Sequence, residues 1–158
     1  MQHGVAADAS VDPARPLTPT GRAEVEVVAA HAAAHGVRAN RVVHSGRLRA
    51  EQSAQVLAAA LGASTEQREG LGPTDSIDPV AAWLSQPGEG TVAVVGHLPF
   101  LDRLASLLVA GNPEAHVVAF CNAGLVRLVH QDGFAVAWAL PPELVDPIVQ
   151  PSRGPDSS

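Results

Sequence analysis

The sequence predicts a single-domain, three-layer α/β/α fold with a mainly parallel sheet and a C-terminal hairpin. Helix-like and strand-like segments alternate through the first two thirds of the chain, and two strand-like segments joined by a tight turn close it. Of the 158 residues, 46% are apolar. A chain of this length and composition is suited to one domain around one core.

Four segments have the features of helices. In the first, which runs from Thr18 to Gly36, apolar residues recur at helical spacing, Thr18 is placed to cap the start and Gly36 to end it. The other three carry an apolar face together with a proline near the start or a glycine after the end, and they span 48–61, 78–84 and 99–109.

Continuous apolar runs predict the strands. Residues 41–45 are predicted to form a short buried strand, and the continuous β-branched run at 91–97 is typical of a strand that is buried on both faces. Residues 116–120 are also strand-like, and a tight turn at Gln131-Asp132-Gly133 predicts that 125–130 and 134–140 pair as a hairpin. Residues 63–77 have no clear pattern, so we expect a surface loop there.

The beginning of the chain departs from this pattern. A parallel sheet of this kind needs a strand that leads into the first loop, but only Met1 and Gln2 precede His3. We therefore expect a truncated first strand in a domain that covers 1–148, followed by a disordered tail at 149–158. A missing strand inside the sheet would expose the edges of its neighbours.

Charge and composition exclude several classes of function. The net charge is −6 and no run of Lys or Arg occurs, which argues against a nucleic-acid partner. The single cysteine, Cys121, excludes an internal disulfide and a cysteine-based zinc cluster. No apolar run is long enough for a membrane span and no secretory signal is evident, so we expect a cytoplasmic protein.

The pair His31 and His35 has metal-ligand spacing, but we interpret it as part of a solvated helix face, and no metal or other cofactor is predicted.

Polar side chains collect where the predicted strands end. In open α/β sheets, ligands bind beyond the carboxyl ends of the strands, at the start of the following helices. The residues that this rule places at one edge, counting the truncated first strand, are Gln2, His3, Gly4, Ser45, Arg47, Arg49 and His97.

These side chains suit a phosphoryl group. Arginine offers a permanently charged fork of donors to phosphate oxygens, and a neutral imidazole is a nucleophile. Phosphoryl transfer depends mostly on positioning and on neutralising charge. Each residue also has a simpler interpretation: Ser45 is equally suited to cap a helix, and Arg15 to form a surface ion pair with Asp12.

The order and spacing of several motifs resemble the histidine phosphatase superfamily, and most closely its branch of small SixA-type phosphohistidine phosphatases. The likeness covers about residues 2–145 and rests on the stretches His3-Gly4, 15–22, 44–53, 71–84, 96–108 and 138–145. The resemblance implies a phosphoglycerate mutase-like fold and a hydrolase that needs no metal.

The resemblance also implies roles for individual residues. His3 would be the nucleophile that carries a transient phosphoryl group, Arg49 would hold the phosphoryl oxygens, and His97 would form the opposite wall. Water would then release phosphate. Gln2, Gly4, Arg15, Ser45 and Arg47 are the further candidates for phosphate binding. The substrate would be a phosphohistidine-bearing protein or a small phosphate ester.

One departure from the family motif opens an alternative. The family has Arg-His-Gly where this chain has Gln2-His3-Gly4. Loss of a charged donor at this point would cost about 10²–10³ in rate, unless Arg15 or Arg47 supplies the charge. The alternative is a non-catalytic phosphate-binding or interaction module. Asp75 lies in a loop from which a proton donor could act, although the small branch generally has no clear donor.

Overall fold

Two sheets and their flanking helices make up the fold, which a computed structural model describes for residues 1–88 and 90–145. The α-helices are α1 (Pro19–Ala34), α2 (Leu48–Leu61), α3 (Asp78–Leu84) and α4 (Phe100–Ala110). The strands are β1 (Arg41–His44), β2 (Ser64–Gln67), β3 (Val92–Val95), β4 (Leu125–His130) and β5 (Phe134–Leu140). A short 3₁₀-helix at Pro142–Leu144 follows the last strand.

The strands form a parallel unit and an antiparallel unit. β1 lies in the middle of a three-stranded parallel sheet in the order β2-β1-β3, and β4 and β5 form the antiparallel hairpin. Parallel neighbours need a crossover between them, which α2 provides from β1 to β2. The mixed α/β architecture with a C-terminal hairpin that the sequence predicts is confirmed.

Residues 1–3 form a short piece of strand between the two sheets. On one side, His3 N–H donates to Gly96 O and Gly96 N–H donates to Met1 O, each at 3.2 Å. On the other side, Gln2 N–H donates to Gly124 O at 3.2 Å. These residues form an isolated bridge between Gln2 and Gly96 and not a full strand. The tail at 149–158 lies outside the described residues.

The two faces of the parallel sheet carry separate apolar clusters. Val42 and Val43 are adjacent in β1 and both fully buried, but they point in opposite directions because side chains alternate along a strand. Val42 packs in the cluster that contains the apolar faces of α1 and α2. Val43 packs in the cluster of α3 and α4. This arrangement places two helices on each side of the sheet.

Two strand predictions need correction. Residues 63–77 were expected to be a loop, but Ser64–Gln67 form β2, an edge strand whose four side chains are all exposed and therefore leave no apolar pattern. Residues 116–120 are apolar but irregular rather than a strand. There, Val117 N–H donates to Ser106 Oγ at 3.3 Å and Phe120 packs against the α4 cluster, so the segment uses its apolar residues to cover a helix.

The helix boundaries agree with the sequence signals. Thr18 Oγ1 accepts from Gly21 N–H at 3.0 Å and caps α1. α2 ends before Gly62, whose φ of 69° is the left-handed conformation that glycine tolerates best.

Across the described part of the chain, no helix combines the length and the apolar character that crossing a membrane would require.

A substitution at Gly21 tests how closely α1 packs against the N-terminal segment. A β-carbon at Gly21 would overlap the carbonyl oxygen of Val5, which follows the His3-Gly4 segment. Helix propensity alone predicts that Gly→Ala stabilises an exposed helix position by about 1 kcal/mol. We expect Gly21→Ala to destabilise the protein instead, by roughly 1–3 kcal/mol, because the backbone of Val5 must move. Urea unfolding measures the difference.

Ala23, an exposed residue on the same helix, supplies the reference for this test. Ala23→Gly should cost about 1 kcal/mol from propensity alone. A Gly21→Ala variant that is as stable as the parent or more stable would contradict the close packing of α1 on the N-terminal segment.

Candidate active site

The main chain of His3 is held at the end of the central strands. Its N–H donates to Gly96 O, and its carbonyl accepts from Ala123 N–H at 3.2 Å and from Asn122 Nδ2 at 3.0 Å. Gly96 immediately precedes His97. The backbone pairing therefore brings the side chains of His3 and His97, which are 94 positions apart, to one edge of the sheet.

Hydrogen bonds to the His3 ring define its tautomer. Nδ1 lies 2.7 Å from Gly4 O, and because a carbonyl only accepts, Nδ1 carries the proton. Arg49 Nε–H donates to His3 Nε2 at 3.2 Å, which agrees with a lone pair on that nitrogen. The unprotonated nitrogen of a neutral imidazole is thus hydrogen-bonded to a buried guanidinium.

His97 forms the facing wall of the site. Its ring centroid lies 4.9 Å from that of His3, with 58° between the ring planes. Its Nε2 lies 2.6 Å from Ser45 Oγ, so the end of β1 and the end of β3 are linked through these side chains. His97 Nδ1 is buried and has no hydrogen-bond partner among the described residues. Such an atom is energetically costly unless a ligand supplies the partner.

Burial and neighbouring positive charge keep both imidazoles neutral. Burial lowers the pKa of His97 to about 3, and the charges of His3, Arg49, Arg47 and Arg15 add to this effect. The pKa of His3 is also lowered, first by burial and then by the three arginines, although the Gly4 carbonyl acts in the opposite direction. At neutral pH the site therefore holds two uncharged rings.

The three candidate arginines differ in exposure. Arg49, in the first turn of α2, is 7% exposed, and burial lowers the pKa of its guanidinium. Arg15 is partly buried and its Nε–H donates to Ala7 O at 3.1 Å. Arg47 is the exposed residue that precedes α2. Both are close enough to act electrostatically on His3 and His97.

Gly4 and Gln2 have environments that the sequence did not indicate. The N–H of Gly4 donates to Ser53 Oγ at 3.1 Å, so it is not free for a phosphate oxygen. A β-carbon at Gly4 would come within 2.6 Å of Gly21 O, so glycine is needed here for packing on α1. Gln2 Oε1 is buried and, within the described residues, has no hydrogen-bond partner.

Sequence reasoning missed two residues that position the site. Ser53 is fully buried on α2; its Oγ donates to Arg49 O at 2.7 Å and accepts from Gly4 N–H, which ties the arginine helix to the segment after His3. A serine among the apolar positions of a helix is the signal that could have identified it. Asn122, which donates to the His3 carbonyl, lies in an irregular segment and gave no such signal.

The remaining candidates lie apart from these contacts. Asp75 is exposed, and its Oδ2 accepts from Gly72 N–H at 2.7 Å within its own turn. His31 and His35 stack on each other with centroids 4.2 Å apart. Among the described residues, no group of three or more His, Cys, Asp or Glu side chains is arranged to hold a metal ion. Burial raises the pKa of the Cys121 thiol, which disfavours the reactive thiolate.

The lowered pKa of His97 predicts how stability depends on pH. A histidine whose pKa is lower in the folded protein contributes fully above its ordinary value of 6.5, and this contribution is lost as pH falls toward about 3. The loss is at most about 1.4 kcal/mol per pH unit. We expect His97→Gln to show a smaller fall in the free energy of unfolding than the parent between pH 7 and 4.5, as measured with urea.

His35→Gln is the control for this measurement, because it removes an exposed histidine and leaves His97 in place. This variant should keep the pH dependence of the parent. If His97→Gln also kept it, the buried imidazole would not be the group that titrates.

Comparison with known proteins places this geometry in a family. The model of the histidine phosphatase superfamily, branch 1, matches residues 7–75. The chain is 33% identical over 135 residues to an uncharacterised protein of Picosynechococcus sp., with 81% of each chain covered. It is 35% identical over 118 residues to the phosphohistidine phosphatase SixA of Escherichia coli, covering 71% of this chain and 73% of that one.

A solved structure extends the likeness to the fold. The protein histidine phosphatase SixA complexed with tungstate superposes with a TM-score of 0.81 at 29% identity, over 92% of this chain and 97% of that chain. Sequence and structure together support a phosphatase. The chain belongs to the histidine phosphatase superfamily, in its SixA branch.

Proposed function

We propose that this phosphatase hydrolyses protein phosphohistidine, without a metal, through a phosphoryl group carried transiently on His3. One observation carries the proposal: His3 Nε2 holds the lone pair of the ring and accepts a hydrogen bond from the Arg49 guanidinium, and the His3 and His97 ring centroids lie 4.9 Å apart. Among the described residues, the site therefore combines a nucleophile on His3, the fixed positive charge of Arg49 and the unpartnered Nδ1 of His97.

In the first step, His3 Nε2 attacks phosphorus as the bond between phosphorus and the substrate imidazole breaks. The leaving imidazole takes the bonding pair and departs neutral when its other nitrogen carries a proton. The proton on His3 Nδ1, held by the Gly4 carbonyl, keeps Nε2 as the attacking atom. Arg49 exchanges its contact with Nε2 for contacts with the phosphoryl oxygens.

In the second step, water attacks phosphorus on His3 and phosphate leaves. The bond between phosphorus and Nε2 breaks, and its electron pair returns to the ring. Ser45 Oγ–H, by donating to His97 Nε2, would leave the proton of His97 on Nδ1, where it lacks a partner. In the proposed mechanism, that N–H stabilises negative charge on the transferring group.

In the part of the chain that the structure describes, no carboxylate is among the charges that act on the two rings, which favours phosphohistidine over a phosphate ester as the substrate. An alkoxide leaving group needs a proton donor, whereas a protonated imidazole does not. Among the described residues, the charges that act on His3, His97 and Arg49 belong to arginines and to His3 itself, and Asp75 is engaged in its own turn. The exchange of one nitrogen–phosphorus bond for another also makes the first step nearly thermoneutral.

Local charge explains how an acidic chain would bind an anionic substrate. The net charge of −6 repels a phosphorylated protein at long range. Arg15, Arg47 and Arg49 all act electrostatically on the two imidazoles, so the charge close to the site is positive. The names of the relatives support the same substrate: one is a phosphohistidine phosphatase, and another is complexed with tungstate, a tetrahedral oxyanion like phosphate.

Trapping the intermediate tests the proposal. A phosphotransfer protein labelled with ³²P on histidine is mixed with the enzyme and quenched in alkali, in which phosphohistidine survives. We expect transient label on the peptide that contains His3. His3→Ala should lose the label and release phosphate at least about 10³-fold more slowly. His35→Ala, which removes an exposed histidine, should behave as the parent does.

The other outcomes distinguish the alternatives. Binding of the labelled protein without label transfer or phosphate release would identify a non-catalytic phosphate-binding module. Faster turnover of p-nitrophenyl phosphate than of phosphohistidine would favour a small-molecule phosphomonoesterase. Equal phosphate release by the parent and His3→Ala would remove His3 from the mechanism.

Gln2→Arg tests whether the site lacks positive charge. Three arginines already act on His3, so we expect this variant to change kcat by less than about threefold. A gain of about 10² or more would show that the missing charged donor limits the reaction. Gln2→Met, which is uncharged and similar in length, separates the effect of charge from the loss of the amide.

A further inference from the structure

The turn between β1 and α2 carries an arginine between two residues that contact the imidazole rings. Ser45 Oγ lies 2.6 Å from His97 Nε2, and Arg49 Nε–H donates to His3 Nε2 at 3.2 Å. Arg47 stands two positions after Ser45 and two before Arg49. Because both of these neighbours along the chain contact a ring, the backbone of Arg47 lies at the edge of the candidate site.

Hydrogen bonds on both sides fix the backbone of this turn. Gly46 N–H donates to His44 Nδ1 at 3.2 Å, and His44 is 6% exposed, so the contact is anchored in the core. Arg47 follows with an extended backbone, and its carbonyl accepts from the N–H groups of Ala50 and Glu51 at the start of α2. The position from which the Arg47 side chain leaves the main chain is therefore set by the fold.

The surroundings of the Arg47 guanidinium leave its charge unneutralised within the part of the chain that the structure describes. The side chain is exposed and, among the described residues, forms neither a hydrogen bond nor an ion pair. Glu51, in the first turn of α2, accepts from Gln55 Nε2 at 3.4 Å instead. By contrast, Arg22 and Arg103 each pair with a glutamate. The five N–H donors of Arg47 are therefore available to the oxygens of a bound anion.

The charge of Arg47 acts on each group of the proposed reaction. Burial is the main reason why the pKa of His97 is lowered to about 3, and among the further causes Arg47 contributes more than Arg15 does. Burial also lowers the pKa of His3 and of Arg49, again with a contribution from Arg47. Arg15 acts on all three groups as well, but its Nε–H is bound to a backbone carbonyl at 3.1 Å. Arg47 thus combines proximity to the rings with open donors.

We propose that Arg47 is a catalytic residue: its guanidinium binds the transferring phosphoryl group and supplies the positive charge that the uncharged Gln2, next to the nucleophile, cannot. The inference rests on the function proposed above, in which the phosphoryl group passes to His3. Arg47 and Arg49 then hold the phosphoryl oxygens from the start of α2, and His97 closes the other side. Two planar forks of donors neutralise more of the charge that develops on the oxygens than one.

Binding of tungstate tests this contact without requiring turnover. Isothermal titration calorimetry on the 158-residue chain compares the parent with Arg47→Ala, Arg47→Lys and Arg22→Ala. We expect Arg47→Ala to weaken binding at least about tenfold, and Arg47→Lys to weaken it less, because lysine keeps the charge but lacks the planar pair of donors. Arg22→Ala removes an exposed arginine that pairs with Glu26 and should bind as the parent does.

A double variant tests whether Arg47 supplies the charge that Gln2 lacks. Added to Arg47→Ala, Gln2→Arg should recover at least about fivefold of the lost tungstate affinity, although alone it should change the affinity by less than about threefold. Recovery in an Arg15→Ala background, with none in Arg47→Ala, would assign the charge to Arg15 and overturn the inference. Phosphate release from a phosphohistidine-labelled protein should follow the same order in kcat.

Other results would also overturn the inference: a parent that does not bind tungstate, an unchanged affinity in Arg47→Ala, or equal losses in Arg47→Ala and the double variant. The melting temperature of Arg47→Ala should stay within about 2 °C of the parent, because the substitution removes an exposed side chain. If tungstate binding depends on Arg47 but phosphohistidine is not hydrolysed, the proposed function fails and the anion contact of Arg47 stands.

Discussion

Backbone pairing of residues 1–3 with the end of β3 holds the site together. The bonds from His3 N–H to Gly96 O and from Gly96 N–H to Met1 O place two distant histidines on adjacent strand ends. On the other flank, Asn122 and Ala123 bond to the carbonyl of His3. Rotations of the His3 main chain are therefore blocked on both sides, and the direction of the ring follows from strand geometry.

α2 contributes the positively charged Arg49 to the site. Its buried Ser53 bonds both to the Arg49 carbonyl and to the Gly4 amide, so the helix and the N-terminal segment share one contact point. The Arg49 guanidinium then meets His3 Nε2 without a carboxylate between them. Within the described residues Arg49 forms no ion pair with an acidic side chain, and burying an unpaired guanidinium is costly. A bound anion would offset the cost of burying this charge.

The electrostatics of the site oppose those of the whole molecule. Sixteen acidic and ten basic side chains give the chain its negative charge, but the charges around His3 and His97 are those of arginines. Burial acts in the same direction as these charges and keeps both rings uncharged. A neutral ring beside a fixed guanidinium retains its lone pair, which a protonated ring would lose.

Local patterns in the sequence were enough to predict the helices, the buried strands and the hairpin, and they supplied the candidate residues of the site. These follow from local periodicity, from capping residues and from the family motifs. The sequence did not predict β2, because an exposed edge strand needs no apolar pattern. It wrongly predicted a strand at 116–120, because an apolar segment can cover a helix without pairing with another strand.

The contacts among the residues of the candidate site depend on the tertiary fold. It bonded the Gly4 amide to Ser53, recruited Asn122, set the tautomer of His3 and left His97 Nδ1 without a partner in the described residues. It also bonded residues 1–3 to Gly96 on one side and to Gly124 on the other. Such contacts join residues far apart in the chain, and no local pattern encodes them.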